Sequence, residues 1–292
     1  MNLSEIHAQV REIIEEPTAR IWSNDEIYRH INRTYSQLQG DLSQTDSTTG
    51  LDSKLLSELT YASASGGITK VTLEPYVTKI VRVENGLQED TPGSSVNPLH
   101  LNTHAHARRQ FLRGDTWFFG GDRHLYLNID KDGIDDATQW RIWFQRRWPP
   151  LVGVTVSSLT SLTFTPTVVA SGLTPAWPGL TDAMRNTRFQ NATDASGGTL
   201  FFCTGSTSTT CVVESATGLD NSDVLWSVPL FEESMHEVLA YRAANRCLDK
   251  EGNVTQKQVI SQVSSELSRT LVNTQERRQD QAPRYVNYTE DR

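Results

Sequence analysis

A chain of 292 residues, 37% hydrophobic and 21% charged, can bury a substantial core. Its mean hydropathy of −0.46 and the lack of any apolar run near the roughly 20 residues that cross a bilayer set aside a helical membrane span. A formal net charge of −8 and an isoelectric point near 5.4 exclude nucleic-acid binding through a broad basic footprint, while a weakly repelling surface remains suited to DNA that passes by. The opening residues lack the basic and apolar segments of a secretory signal, so synthesis in a cytoplasm is the expectation.

A first helix starts at an Asn2 or Ser4 cap, turns Leu3, Ile6, Val10, Ile13 and Ile14 to one face, and stops before Pro17. The second, over residues 22–42, organises the chain. Ser23 and Glu26 form a capping box, and Ile27, Ile31, Tyr35, Leu38 and Leu42 recur at steps of four, four, three and four. So short a link between the two favours an antiparallel or steeply crossed pair, with Ile21 and Trp22 plugging its open end. Residues 43–52 are rich in Ser, Thr, Asp and Gly and read as a loop.

From Leu55 the period changes toward two. Two strands surround Gly66 and Gly67, and a third carries Val77, Ile80 or Val81, and Val83 inward. A polar loop over residues 87–97 leads to a short helix over about 102–112. Two more strands surround Gly120 and Gly121, with Trp117, Phe119, Leu125 and Leu127 alternating. A further strand puts Trp140, Ile142 and Phe144 on one face and Arg141, Trp143 and Gln145 on the other, until Pro149 and Pro150 end it.

Residues 151–223 contain no Lys, are rich in Thr, Ser, Gly and Ala, and carry their apolar residues in short pulses such as Val152, Val154 and Val156, which predicts a small inserted all-β module. Helical period returns near Ser227, a plausible cap, with Phe231, Met235, Val238, Leu239, Ala243 and Leu248 as the apolar face. A last helix begins at Asn253, with Gln256 at the capping-box position and Val259, Ile260, Val263, Leu267 and Leu271 as its stripe. Residues 273–292 lose the apolar period and read as an extended tail. The fold class is therefore α+β: a four-helix body built from both ends of the chain, a β-strand middle, and the inserted module. The corresponding segments are 1–150, 151–223, 224–272 and 273–292.

No constellation for chemistry stands out. Residues 128–139 begin like a calcium loop, but Gln139 occupies the position of the bidentate acid. His104 and His106 diverge on the helix expected there, so with His100 and His124 they read as surface or interface histidines. There is no nucleophile elbow, phosphate-cradling loop or dinucleotide fingerprint, and no catalytic, cofactor or metal residue is assigned. Arg141, Arg146 and Arg147 among Trp140, Trp143 and Trp148 read as a strand with one buried aromatic face under packed arginines. Trp143 or Trp148, if exposed, is an interface candidate. Cys203 and Cys211 flank a Thr/Ser/Gly loop and could face each other across a hairpin.

The opening helix, the run WSNDEIYRHINRTYSQL, the strands ending in WRIWFQRRWPPL, and the run VPLFEESMHEVLAYRAANRCL before a last helix and polar tail resemble head-to-tail adaptor (connector) proteins of tailed bacteriophages. The resemblance covers residues 1–150 and 228–292 and leaves the β insert without a role. It implies a structural virion protein at the head–tail interface and no enzyme. Its partners would be the portal protein and a tail or nozzle protein, in a homo-oligomeric, dodecameric ring whose lumen passes double-stranded DNA without reading it. The tail is then the portal-binding segment, with Tyr285 and Tyr288 as anchors and Arg277, Arg278 and Arg284 as salt-sensitive contacts. The competing expectation is a nozzle or baseplate subunit, or a glycan-binding virion module that uses the β insert.

Overall fold

The computed structural model describes residues 1–16, 18, 21–45, 50–63, 68–85, 97–98, 100–101, 116–120, 123–128, 140–168, 177–178, 180–192, 199–231, 233–251 and 254–281. The chain is α+β and divides into two compact units: Met1–Asp46 with Trp148–Arg292, and Ser47–Arg147. The strand middle is thus a unit of its own, where the sequence grouped it with the first two helices.

The first unit contains helices α1 (Leu3–Ile13), α2 (Asn24–Thr45), α3 (Glu237–Glu251) and α4 (Val254–Gln281). Asn2 caps α1 by accepting from the Glu5 amide at 3.0 Å, and the Asn2 amide donates to the Glu5 carboxylate at 2.8 Å. Ser23 and Glu26 exchange the same bonds ahead of α2, at 3.3 and 3.2 Å. Behind those caps Leu3, Ile6 and Val10, with Ile27, Ile31, Tyr35, Leu38 and Leu42, are buried together with Val238, Leu239, Ala243, Cys247 and Leu248 of α3 and Ile260 of α4. Each large side chain so enclosed stabilises the fold by about 1.5–3 kcal/mol.

This core is more than a set of four helices. Trp148, Leu151 and Phe231 are buried in it, and Trp226 and Leu230 pack against it. The helix expected from Ser227 starts later, at Glu237. Ser227 is fully buried, its hydroxyl accepting from the Val152 amide and donating to the Val152 carbonyl, both at 2.9 Å. The residues between are spent on closing a barrel and anchoring Phe231.

That barrel is the insert, and it belongs to the same compact unit as the helices. It uses six strands: Gly153–Thr160, Thr163–Val168, Arg188–Asn191, Leu200–Ser206, Cys211–Val213 and Val224–Val228. Numbered β10 to β15 in chain order, they close antiparallel as β10-β11-β14-β13-β12-β15. Its last strand lies past the expected boundary at Asp223. Pairing of Gly153 with Trp226 closes the ring, and Val152, Val154, Val156, Phe164, Met184, Phe189 and Phe201 fill it. Closure removes the free edges that a small sheet otherwise exposes. Asn2 Nδ2 donates to Gln190 Oε1 of β12 at 2.8 Å, tying the cap of α1 to the barrel wall.

The second unit is a two-sheet sandwich. Strands β1 (Leu51–Leu55), β4 (Val77–Asn85), β5 (Asn97–Pro98) and β9 (Trp140–Arg146) form one sheet in the order β1-β9-β4-β5. The other contains β2 (Thr60–Ser63), β3 (Ile68–Thr72), β6 (His100–Leu101), β7 (Thr116–Gly120) and β8 (His124–Asn128), ordered β2-β3-β8-β7-β6. Leu56, Val71, Leu125 and Leu127 share a core with Ile80, Val83, Trp140, Ile142 and Phe144, as the alternating period requires. Val81 is 39% exposed, which leaves Ile80 as the inward residue. Strand β1 occupies part of the stretch read as a loop, and α2 extends into it from the other side. The short helix expected over residues 102–112 lies outside the described residues.

Candidate functional site

The last helix and the chain beyond it carry the residues assigned to partner binding. Helix α4 continues to Gln281, so residues 273–281 are helical where an extended tail was expected. Gln, Glu, Arg and Asp fill this stretch. Most of them hold a helix without an apolar face, so the fading hydrophobic period did not mark its end. Arg277 and Arg278 therefore sit on the helix. Arg284, Tyr285 and Tyr288 lie outside the described residues.

At its beginning α4 is held firmly. Gln256 Nε2 donates to the Ile13 carbonyl at 2.9 Å, and Ile260 and Ser264 are buried. Arg242 of α3 binds Ser268 Oγ at 2.9 Å and Asp41 of α2 at 2.8 Å, linking three helices through one guanidinium. Among the described residues, Leu267 is the last apolar side chain of α4 packed on the core. From residue 269 to 281 the helix runs on for roughly 20 Å at about 1.5 Å per residue. Val259 is 58% exposed although it belongs to the expected stripe, because the inward face centres on Ile260, Ser264 and Leu267.

The arginine and tryptophan cluster separates into two environments. Trp148 is buried in the helical core, stacked on Tyr35 at 4.9 Å and on Phe231 at 5.9 Å, which removes it as an interface candidate. Its amide donates to Gln39 Oε1 at 2.7 Å. Trp143 is half-buried on β9, with Arg82 at 4.8 Å and Arg141 at 6.0 Å from its ring. Its Nε1 donates to Glu84 at 2.7 Å, and Glu84 also pairs with Arg82 at 2.8 Å. Arg146 is buried, paired with Asp52 at 3.1 Å, and lies over the Tyr76 ring. The aromatic face is thus covered by the protein's own charged groups, an arrangement that leaves no bare stacking platform.

Described residues of the first unit line clefts at the barrel and at the first helix. One, of about 430 Å³, lies on the barrel and is lined by Arg185, Arg188, Phe202, Thr204 and Glu214. Phe202 is 42% exposed, with Arg188 at 5.8 Å from its ring. Phe202 was legible as a strand residue, but Arg185 and Arg188 fall in the stretch least readable from the sequence. The other, of about 460 Å³, is lined by His7, Arg11, Glu12 and Glu15 of the first helix and its end.

Packing explains why several titratable groups depart from their ordinary values. Burial, with Arg11 nearby, lowers the His7 pKa to about 4, and the ring stacks on Tyr28 at 4.5 Å. Burial raises Tyr28 to about 12 and pushes Tyr35 up as well. Burial also lowers His236, whose ring nitrogens lie 2.9 Å from the Met1 carbonyl and 3.1 Å from the Phe231 carbonyl. Both nitrogens are engaged with main chain, so His236 is not placed to act as a base on a substrate. Among the described residues no group of three or more His, Cys, Asp or Glu is arranged to hold a metal ion, and no helix is long and apolar enough to cross a membrane. His104, His106 and most of the calcium-like loop lie outside the described residues.

Compared with known proteins, the chain matches no family model and no curated protein.

Proposed function

We propose that this protein is a head-to-tail adaptor of a tailed bacteriophage, a structural component that forms a dodecameric ring beneath the portal and extends the DNA channel toward the tail or nozzle. The observation that carries the reading is a helical core built from both ends of the chain, from which α4 continues toward the C-terminal segment. Helices from both ends of the chain share one core, and α4 runs to Gln281, next in sequence to residues 282–292. In this reading residues 282–292 are captured by a larger partner, and a segment that orders on binding gains affinity from a few aromatic anchors and main-chain pairing. In this reading Arg277 and Arg278 approach the portal from the helix, while Arg284, Tyr285 and Tyr288 follow in the tail. The net charge of −8 suits a lumen in which double-stranded DNA slides without sticking. A ring also needs two different faces of each subunit to meet, and the exposed sides of α2 and α4 are the surfaces we assign to that contact.

The experiment is portal binding by the full chain and by two truncations, one lacking residues 282–292 and one lacking 274–292. Loss of binding in both, with the circular dichroism of the remaining fold retained, is the expected result. Undiminished binding by the longer deletion overturns the assignment.

A second reading follows from the barrel cleft. Two arginines, a carboxylate and a half-exposed Phe202 in about 430 Å³ favour a glycan-binding virion module, in a nozzle or baseplate subunit for instance. Glycan binding abolished by Arg188→Ala would favour this reading over the adaptor.

A further inference from the structure

Cys203 and Cys211 are separated by a short polar turn, and an unbroken ladder would not bring them together. Cys211 pairs with Ser206, and Val212 with Gly205. Continued without a break, that register would set Thr204 opposite Val213 and turn Cys203 to the other face of the sheet. Instead the register shifts between Cys203 and Gly205, and Cys203 pairs with Val213. The bulge puts both cysteines inside the barrel, where both are buried, and β13 accordingly buries Cys203 and Ser206 three residues apart.

The two sulfur atoms are 3.2 Å apart, with the Cys211 thiol donating to Cys203 Sγ. A disulfide needs about 2.05 Å, so roughly 1.2 Å of approach remains. The turn between them is already closed. The Thr207 amide donates to the Thr210 carbonyl at 2.9 Å, and Thr207 Oγ1 accepts from the amides of Thr209 and Thr210 at 3.2 and 3.0 Å.

We propose that Cys203 and Cys211 form a disulfide site, a dithiol set in place by the β-bulge and converted by a small-molecule disulfide into a covalent staple between β13 and β14. The two thiols give up two protons and two electrons. Oxidised glutathione takes them through a mixed disulfide and leaves as two glutathione thiols. The hydrogen bond between the thiols, followed by burial, pushes the Cys211 pKa up, so the closed barrel holds it protonated and slow to react. Oxidation therefore belongs to folding, and the finished staple is shielded from reductants. Cys247 is buried in α3, within the separate helical core, and serves as an internal control that stays a thiol. This inference is independent of the adaptor reading.

The test refolds the full chain from urea in a glutathione redox buffer, so that access to the thiols does not limit the result. The expected product is about 2 Da lighter, shows a single thiol in denaturant, and yields a peptide joining Cys203 to Cys211. Its midpoint should rise on the order of 5 °C over the reduced protein and fall back on reduction, for a closed loop this short. The double variant Cys203→Ala, Cys211→Ala should show no such redox-dependent shift. Three thiols recovered after refolding, a disulfide to Cys247, or the same shift in the double variant would overturn the proposal.

Discussion

In the helix-and-barrel unit, polar side chains bond to main chain far away in sequence. Gln39 accepts from the Trp148 amide, Asn32 exchanges two bonds with Leu151, and Ser227 does the same with Val152. In the strand unit, a buried charge pair crosses neighbouring strands, Arg146 of β9 with Asp52 of β1. The first unit is assembled from two stretches of chain that must find each other, and neutral side chains aimed at backbone fix where they meet. The second is one continuous stretch whose first and last strands, β1 and β9, lie side by side, and the Arg146–Asp52 pair joins them. One unit should therefore be sensitive to loss of hydrogen-bond partners and the other to loss of charge pairing.

The comparison breaks most visibly at two tryptophans five residues apart. Trp148→Ala removes a stacked, buried ring from the helical core and should cost about 3–5 kcal/mol in denaturant unfolding. Trp143→Ala strips a ring held at the surface between two arginines and should cost about 1 kcal/mol or less. Equal losses would show that the two environments are not distinct. Next in size, Asp52→Ala leaves Arg146 buried without its carboxylate and should destabilise the strand unit by about 3 kcal/mol, read by hydrogen exchange of β1 and β9. Protection lost in the helices and retained in those strands would contradict the assignment.

A smaller effect, about 1–3 kcal/mol, is expected for Asn32→Ala, which leaves the Leu151 amide and carbonyl without that partner. The last is a pH effect. His7 has a pKa near 4 in the folded chain and about 6.5 when unfolded, so the unfolded state binds more protons between those values. Its contribution is fully present above about pH 6.5 and is lost as pH falls toward 4, in the same direction as that of His236. A midpoint-against-pH series for His7→Gln should be flatter across that window than for the parent chain; an unchanged slope would remove His7 from the account.

How far the sequence was legible follows the same division. Local signals survived. The Ser23 box, a cap at Asn2 or Ser4, the α2 stripe and the alternation of Trp140, Ile142 and Phe144 all depend on neighbours within a few residues, and the fold shows them, with Asn2 as the cap. What was missed depends on tertiary closure. Ser227 looked like a helix cap because a hydroxyl before Pro229 suits one, but the barrel claims it. Met184 and Phe189 lie in a stretch without period, and β12 pairs with the next strand, β13, on one side and with the more distant β15 on the other. For the candidate site, Arg277 and Arg278 could be named but not placed, because a helix made of polar residues carries no stripe to mark it. The arginines of the barrel cleft gave no signal at all.

The adaptor reading is tested most directly by imaging the protein mixed with its cognate portal ring. The account predicts one added ring of twelve copies against the portal, with α4 pointing toward it and the tail laid along the portal surface. Portal particles without added density, or a contact made through the barrel cleft with α4 facing away, would contradict it.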